Sequence, residues 1–148
     1  MGDGPERGYL KSLAAELELE SVVEFSGAYV RSEFAEALSL SDVFVLASRR
    51  ETFGVVYIEA MACGVPVIAT RCGGPEDFVN GLNGLLVPVE DVESLAKAML
   101  EIRENIKNYN RDIISNTARE GFAAYKIAER LTAIFEGLIY EIKKAYII

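Results

Sequence analysis

The sequence contains no histidine. Without an imidazole the chain has no Ser-His-Asp relay, no zinc-binding histidine and no histidine general base, which excludes several hydrolase and metalloenzyme classes. Cysteine is scarce as well. Cys63 and Cys72 are too far apart for a C-x-x-C pair and do not have metal-ligand spacing, so they read as two buried, reduced thiols. Basic residues are few, with 15 Lys and Arg against 23 Asp and Glu, giving a net charge of −8. That field repels phosphate backbones and anionic lipid, and no local basic patch offsets it, so nucleic acid is not an expected partner. No apolar run approaches the roughly 18 residues of a membrane span, and Met1-Gly2-Asp3-Gly4-Pro5 lacks a signal-peptide pattern. The expected location is the cytoplasm. A G-x-G-x-x-G after a strand is also absent, which argues against a Rossmann-type dehydrogenase domain.

What is present is a globular composition: 148 residues, 51% hydrophobic and 26% charged, enough for one domain with its own core. Tyr9, Leu10, Leu13, Ala14 and Leu17 recur at helical spacing, with Lys11, Glu16 and Glu18 opposite, predicting an amphipathic helix that lies on another surface. Residues 22–25 read as a strand stopped by Ser26-Gly27, and Ser32 as the N-cap of a helix carrying Phe34, Ala37 and Leu38. Residues 43–46, 66–69 and 85–87 are apolar strand cores, the first two separated by a helix over 55–63 that Gly64 ends. Strands without polar alternation, separated by helices, indicate an α/β fold with a Rossmann-like parallel sheet. Helices close the chain. Asp91 caps one bearing Leu95, Ala98, Met99 and Ile102, and a second covers 111–120 and stops at Gly121. The last carries Ile127, Ala128, Leu131, Ile134, Phe135, Leu138, Ile139 and Ile142, a stripe that protein must cover.

Residues 48–69, Ser-Arg-Arg-Glu-Thr-Phe-Gly-Val-Val-Tyr-Ile-Glu-Ala-Met-Ala-Cys-Gly-Val-Pro-Val-Ile-Ala, are the most informative segment. They follow the strand ending at Leu46 and open a helix near Gly54. In open α/β sheets ligands collect outside the carboxyl ends of the strands, and the backbone N–H groups of Phe53, Gly54 and Val55 at a helix start suit phosphate oxygens. Glu51 in the preceding loop is either a ligand contact or a carboxylate placed for the helix dipole. Glu59 has nearly all-apolar neighbours and no basic residue at i−4 or i+4. A carboxylate in that setting needs donors, which the vicinal hydroxyls of a ribose or hexose supply, with a distant arginine as the alternative.

Glu51-x7-Glu59 with Phe53-Gly54 between, followed by Glu-Ala-Met-Ala-x-Gly-x-Pro-Val-Ile-Ala, resembles the donor-site signature of retaining GT-B glycosyltransferases of family 4. Gly2-Asp3-Gly4-Pro5-Glu6 is similar to the family's glycine turn, Phe25-Ser26-Gly27 to the end of its third strand, and residues 41–48 to its fourth. Gly73-Gly74-Pro75-Glu76, Asn80-Gly81, Asn83-Gly84 and Asp91 before Leu95-Ala96 continue in the family's order. By this resemblance the chain is a single, partial nucleotide-sugar-binding domain, with the motifs over 2–105 and terminal helices over 106–148. Glu59 would hold the ribose hydroxyls of a sugar nucleotide, and Glu51 would contact the transferred hexose as the catalytic carboxylate. The backbone of Phe53, Gly54 and Val55 would meet sugar and diphosphate, and Gly4 would allow close approach near the phosphates. No cofactor and no metal are implied, the sugar nucleotide being substrate. Ala47 stands where the family commonly has proline, and Glu18 where it often has glycine.

The resemblance also sets an expectation about partners. The family's donor domain has a strand, a helix and a second strand before the glycine turn, with an Arg and a Lys that neutralise the diphosphate, and an acceptor-binding domain before that. Here only Met1 precedes the turn. In a sheet of order 3-2-1-4-5-6 the strands present would be split as 3 and 4-5-6. Residues 22–25 are therefore expected to close against 43–46, or a partner chain, a second copy or a domain swap to fill the gap. Arg49, Arg50 and Arg71 either replace the missing cations or are surface charges. The function implied is hexosyl transfer from a sugar nucleotide to an acceptor hydroxyl with retention. A non-catalytic module that keeps the fold is the alternative.

Overall fold

The computed structural model describes residues 3–146. The chain divides into two compact units, Met1–Ala37 and Leu38–Ile148.

In the first unit α1 (Arg7–Glu16) buries only Ala14. Tyr9, Leu10 and Leu17 of the expected apolar stripe are exposed. The helix ends with Glu18 at φ 57°. The N–H groups of Glu18 and Leu19 donate to the carbonyls of Ala15 and Ala14 at 3.0 and 2.8 Å, the paired bonds of a Schellman stop. A left-handed residue is required there, which glycine supplies without steric cost and Glu18 supplies with some strain.

The strand expected over 22–25 does not form. The Val22 and Val23 N–H groups both donate to the Leu19 carbonyl, and the Phe25 carbonyl accepts from the Arg7 guanidinium at 2.9 Å. The segment spends these groups on local bonds rather than on a strand ladder. α2 (Arg31–Ser39) begins one residue before the expected cap, leaving Ser32 inside the helix. The carboxylate of Glu33 instead accepts from the Val30 N–H at 3.4 Å.

The second unit is built on three parallel strands, β1 (Phe44–Leu46), β2 (Val67–Thr70) and β3 (Gly84–Val87), in the order β1-β2-β3. This is the 4-5-6 part of the expected order. All four residues of β2 are buried, as befits a central strand covered on both faces. On one face Ile68, Val87, Ala98 and Ile102 form a core with Val43, Val45, Leu85 and Leu95, which seats α4 (Val92–Glu104). On the other lies α3 (Val55–Ala62), whose Tyr57 ring meets Phe44 edge-on at 5.7 Å. Asp91 caps α4 as expected, accepting from the Ser94 N–H at 2.9 Å and its hydroxyl at 2.6 Å.

α5 (Arg111–Phe122) is capped by Asn110 and passes through Gly121, where a stop was expected. Glycine inside a helix costs about 1 kcal/mol but adopts helical angles readily. The break comes at Ala123, extended at φ −62°, ψ 141°, after which α6 (Ala124–Tyr146) starts. The stripe on α6 is uncovered: Leu131 is 48%, Ile134 58%, Phe135 60% and Leu138 54% exposed. No helix among the described residues is long and apolar enough to cross a membrane.

Candidate functional site

The loop over residues 47–54 leaves β1 at its carboxyl end and enters α3, the position where parallel sheets present ligands. It is stitched to the segment that follows β2. The Glu51 N–H donates to the Cys72 carbonyl at 3.3 Å, and the Glu51 carbonyl accepts from the Gly74 N–H at 3.1 Å. Glu51 and Gly73 thereby form an isolated parallel bridge, a resumption of the β1–β2 pairing beyond the strands. The Thr70 hydroxyl donates to the Ser48 carbonyl, closing the near end of the loop.

Within this frame Glu51 is half-buried and lines a small cavity of about 170 Å³ with Arg50, Thr52 and Cys72. Gly54 is the N-cap of α3 at φ 89° and offers no side-chain cap to the first turn. Val55 opens the helix exposed, and Phe53 is 43% exposed. Glu59 is half-buried, about 6 Å along the helix from its first residue. Five of the residues singled out in the sequence, Glu51, Phe53, Gly54, Val55 and Glu59, therefore share one strand-to-helix junction. Gly4 belongs to the first unit, where it lines a separate cavity of about 380 Å³ with Pro5, Arg7, Leu10, Phe25 and Ser26. Gly2, of the same turn, lies outside the described residues.

Of the candidate cations, Arg49 pairs with Glu90 at 2.7 Å and Arg71 with Glu76 at 3.9 Å, both at the surface. Arg50 is the one that lines the Glu51 cavity. Cys63 and Cys72 are not joined in a disulfide and are only half-buried, because each lies just beyond the end of an element rather than within one.

Tyr57 was not marked out by the sequence, where it reads as one more apolar position of α3. It is fully buried, and its hydroxyl donates to the Leu46 carbonyl at 2.7 Å, fastening the helix start to the last residue of β1. Burial pushes its pKa up from the ordinary 10.0 to about 12, partly countered by a hydrogen bond with Ser48. A phenol whose folded pKa is raised contributes stability that is complete below pH 10.0 and is lost as pH rises through about 12. Urea unfolding followed by circular dichroism should show that alkaline loss, and Tyr57→Phe should flatten it while costing about 1–2 kcal/mol at neutral pH. An unchanged alkaline profile in the variant would count against this anchoring role.

Comparison with known proteins places these features. Residues 1–120 match the family model described as glycosyl transferases group 1. The chain is 34% identical over 143 residues to N-acetyl-alpha-D-glucosaminyl L-malate synthase of Bacillus anthracis, an alignment covering 96% of this chain and 36% of that protein. It is 40% identical over 103 residues to the lipopolysaccharide core biosynthesis glycosyltransferase LpsE of Rhizobium meliloti, covering 69% of this chain and 30% of that one. The chain belongs to the group 1 glycosyltransferases. Among solved structures, sucrose-phosphate synthase from Thermosynechococcus elongatus superposes with a TM-score of 0.79 at 30% identity, over 95% of this chain and 37% of the other. Anabaena HepE in complex with UDP gives 0.75 at 29%, over 92% and 39%. This group 1 glycosyltransferase chain thus has a parallel α/β fold shared with GT-B glycosyltransferases and spans about a third of the length of the relatives it matches.

Proposed function

We propose that the chain binds a sugar nucleotide at the β1–α3 junction as the donor half of a retaining hexosyltransferase. The observation that carries this reading is that Glu51 and the Gly54 helix start lie just beyond the carboxyl end of β1, with Glu59 on the helix they open, in a member of this family. HepE, solved with UDP and glucose, supports a nucleotide sugar as the ligand class. Glu59 accepts hydrogen bonds from the ribose hydroxyls, and Glu51 from a hydroxyl of the hexose. The N–H groups of Phe53, Gly54 and Val55 donate to sugar and diphosphate oxygens, with the helix dipole favouring the negative charge. Arg50 is the cation placed to meet the diphosphate, since Arg49 and Arg71 are each engaged with a carboxylate. Transfer then rests on holding the anomeric carbon in place and stabilising the departing diphosphate.

Transfer in this reading needs more protein than the present chain, because the acceptor must be held against the donor. Among the described residues β1 pairs with β2 alone, and Phe-Val-Leu carries none of the charge or proline that protects outer strands. An additional strand, from a partner chain or a second copy, fits that edge. The alternative is a binding or assembly module that does not transfer. The engagement of Arg49 and Arg71 favours it, since a diphosphate beside two carboxylates is then left with little positive charge.

Calorimetric titration with UDP, GDP and ADP, with and without the attached hexose, tests the reading. One nucleotide series should bind, and Glu59→Ala should weaken it by about ten- to a hundredfold, the loss of one or two charged hydrogen bonds. Binding that is indifferent to Glu59→Ala would overturn the assignment.

A further inference from the structure

Three phenylalanines from three segments meet at the donor loop. Phe53 lies 5.8 Å from Phe78 and 5.8 Å from Phe122, and Phe78 lies 5.7 Å from Phe122, ring centre to ring centre. The interplanar angles of 60°, 76° and 75° are those of tilted and edge-to-face contacts, the arrangement that aromatic quadrupoles favour. Phe78 follows the 3₁₀ turn Gly74–Asp77, and Phe122 is the last residue of α5.

The far end of α5 is tied to the far end of α3. The Ser115 hydroxyl donates to the Ala62 carbonyl at 2.7 Å, and the Arg111 guanidinium donates to the carbonyls of Ser39 and Ser41 at 2.7 and 3.0 Å. α5 therefore runs back along α3 as a strut, rooted where α3 ends and touching the loop that comes before α3 begins. α3 carries Glu59, and the loop carries Glu51 and Phe53. The strut links the Phe53 loop to the end of α3 by a route that does not pass through the backbone of residues 54–61.

We propose that Phe122, together with Phe78, is a positioning residue for the hexose end of the donor site: it holds the Phe53 loop at a set distance from Glu59 without touching the ligand. The proposal rests on the donor-site reading for its ligand and on the three-ring contact for its geometry. Phe122→Ala should leave the affinity for the nucleoside monophosphate, which carries the ribose but neither the second phosphate nor the hexose, within about twofold, because Glu59 and α3 are undisturbed. The same variant should lose at least about tenfold in affinity for the corresponding nucleotide hexose, measured by calorimetry on the full chain. Phe122→Tyr, which keeps the ring, should restore most of that loss.

A second measurement does not depend on the ligand. Hydrogen exchange should speed up at least about tenfold for the amides of residues 51–55 in Phe122→Ala, with those of β2 unchanged and with Phe122→Tyr like the parent. Equal loss of both affinities, or faster exchange spread over β2 as well, would mean a general structural role and would overturn the proposal. If the parent binds no nucleotide, the donor reading fails, and the exchange pattern alone decides whether Phe122 positions the loop.

Discussion

Gly84→Ala is expected to lower the unfolding free energy by about 3 kcal/mol and the melting temperature by about 6–12 °C. A Cβ at this position would stand 2.1 Å from the Val67 carbonyl oxygen and 2.9 Å from its carbon. Both residues are buried, and they face each other in the β2–β3 register. The clash is backbone against Cβ, so no side-chain rotation relieves it. Either β3 moves away from β2 and gives up ladder bonds, or Val67 shifts within the central strand against α3. A domain of this size has about 5–15 kcal/mol in total, so the loss is a large share of it. Urea midpoints followed by circular dichroism give the measurement. Gly81→Ala, whose Cβ would meet nothing within 4 Å, is the control and should stay within about 0.5 kcal/mol of the parent. Equal midpoints for the two variants would refute the packing argument.

Gly74→Ala should act on the site more than on the fold. Its Cβ would lie 2.4 Å from Phe53 Cα and 2.5 Å from the Phe53 carbonyl oxygen, so the loop over residues 47–54 rests directly on this glycine. Relief requires the loop or the 3₁₀ turn to move by about an ångström, at an overpacking cost of about 1–3 kcal/mol. The bond from the Gly74 N–H to the Glu51 carbonyl is stretched by the same motion. A misplacement of that size is enough to cost about a hundredfold in a positioned reaction. Nucleotide-hexose binding should therefore fall at least about tenfold, measured by calorimetry, while the melting temperature drops by less than in Gly84→Ala. A variant that melts early but binds like the parent would show that the loop is not seated on Gly74.

These two glycines illustrate where the sequence was readable. Gly73-Gly74 and Asn83-Gly84 were visible as members of an ordered series of motifs, but their reason is a distance to Phe53 and to Val67, which no local pattern contains. The same holds for the site. Glu51, Phe53, Gly54, Val55 and Glu59 are contiguous enough for helix spacing and turn chemistry to group them, and they do share one junction. Phe78, Phe122 and Cys72 reach that junction from later segments, and their pairings are non-local. Where local rules misled, a competing local bond was responsible. Residues 22–25 have strand composition, yet Val22 and Val23 share the Leu19 carbonyl. Ser32 has cap chemistry, yet Glu33 does the capping. Gly121 has the look of a helix stop, yet the backbone turns aside at Ala123.

The uncovered stripe on α6 has a practical consequence for handling the chain in solution. Contiguous apolar surface of this kind binds environment-sensitive fluorescent dyes in the native state. A dye-monitored melt would begin from a raised baseline and report the dye leaving α6 before it reported unfolding of β2. Kosmotropic salts, excluded from such surface, should precipitate the protein at low concentrations of salt. Melting measurements on the variants above are therefore better made by circular dichroism or calorimetry, in dilute protein and without sulfate.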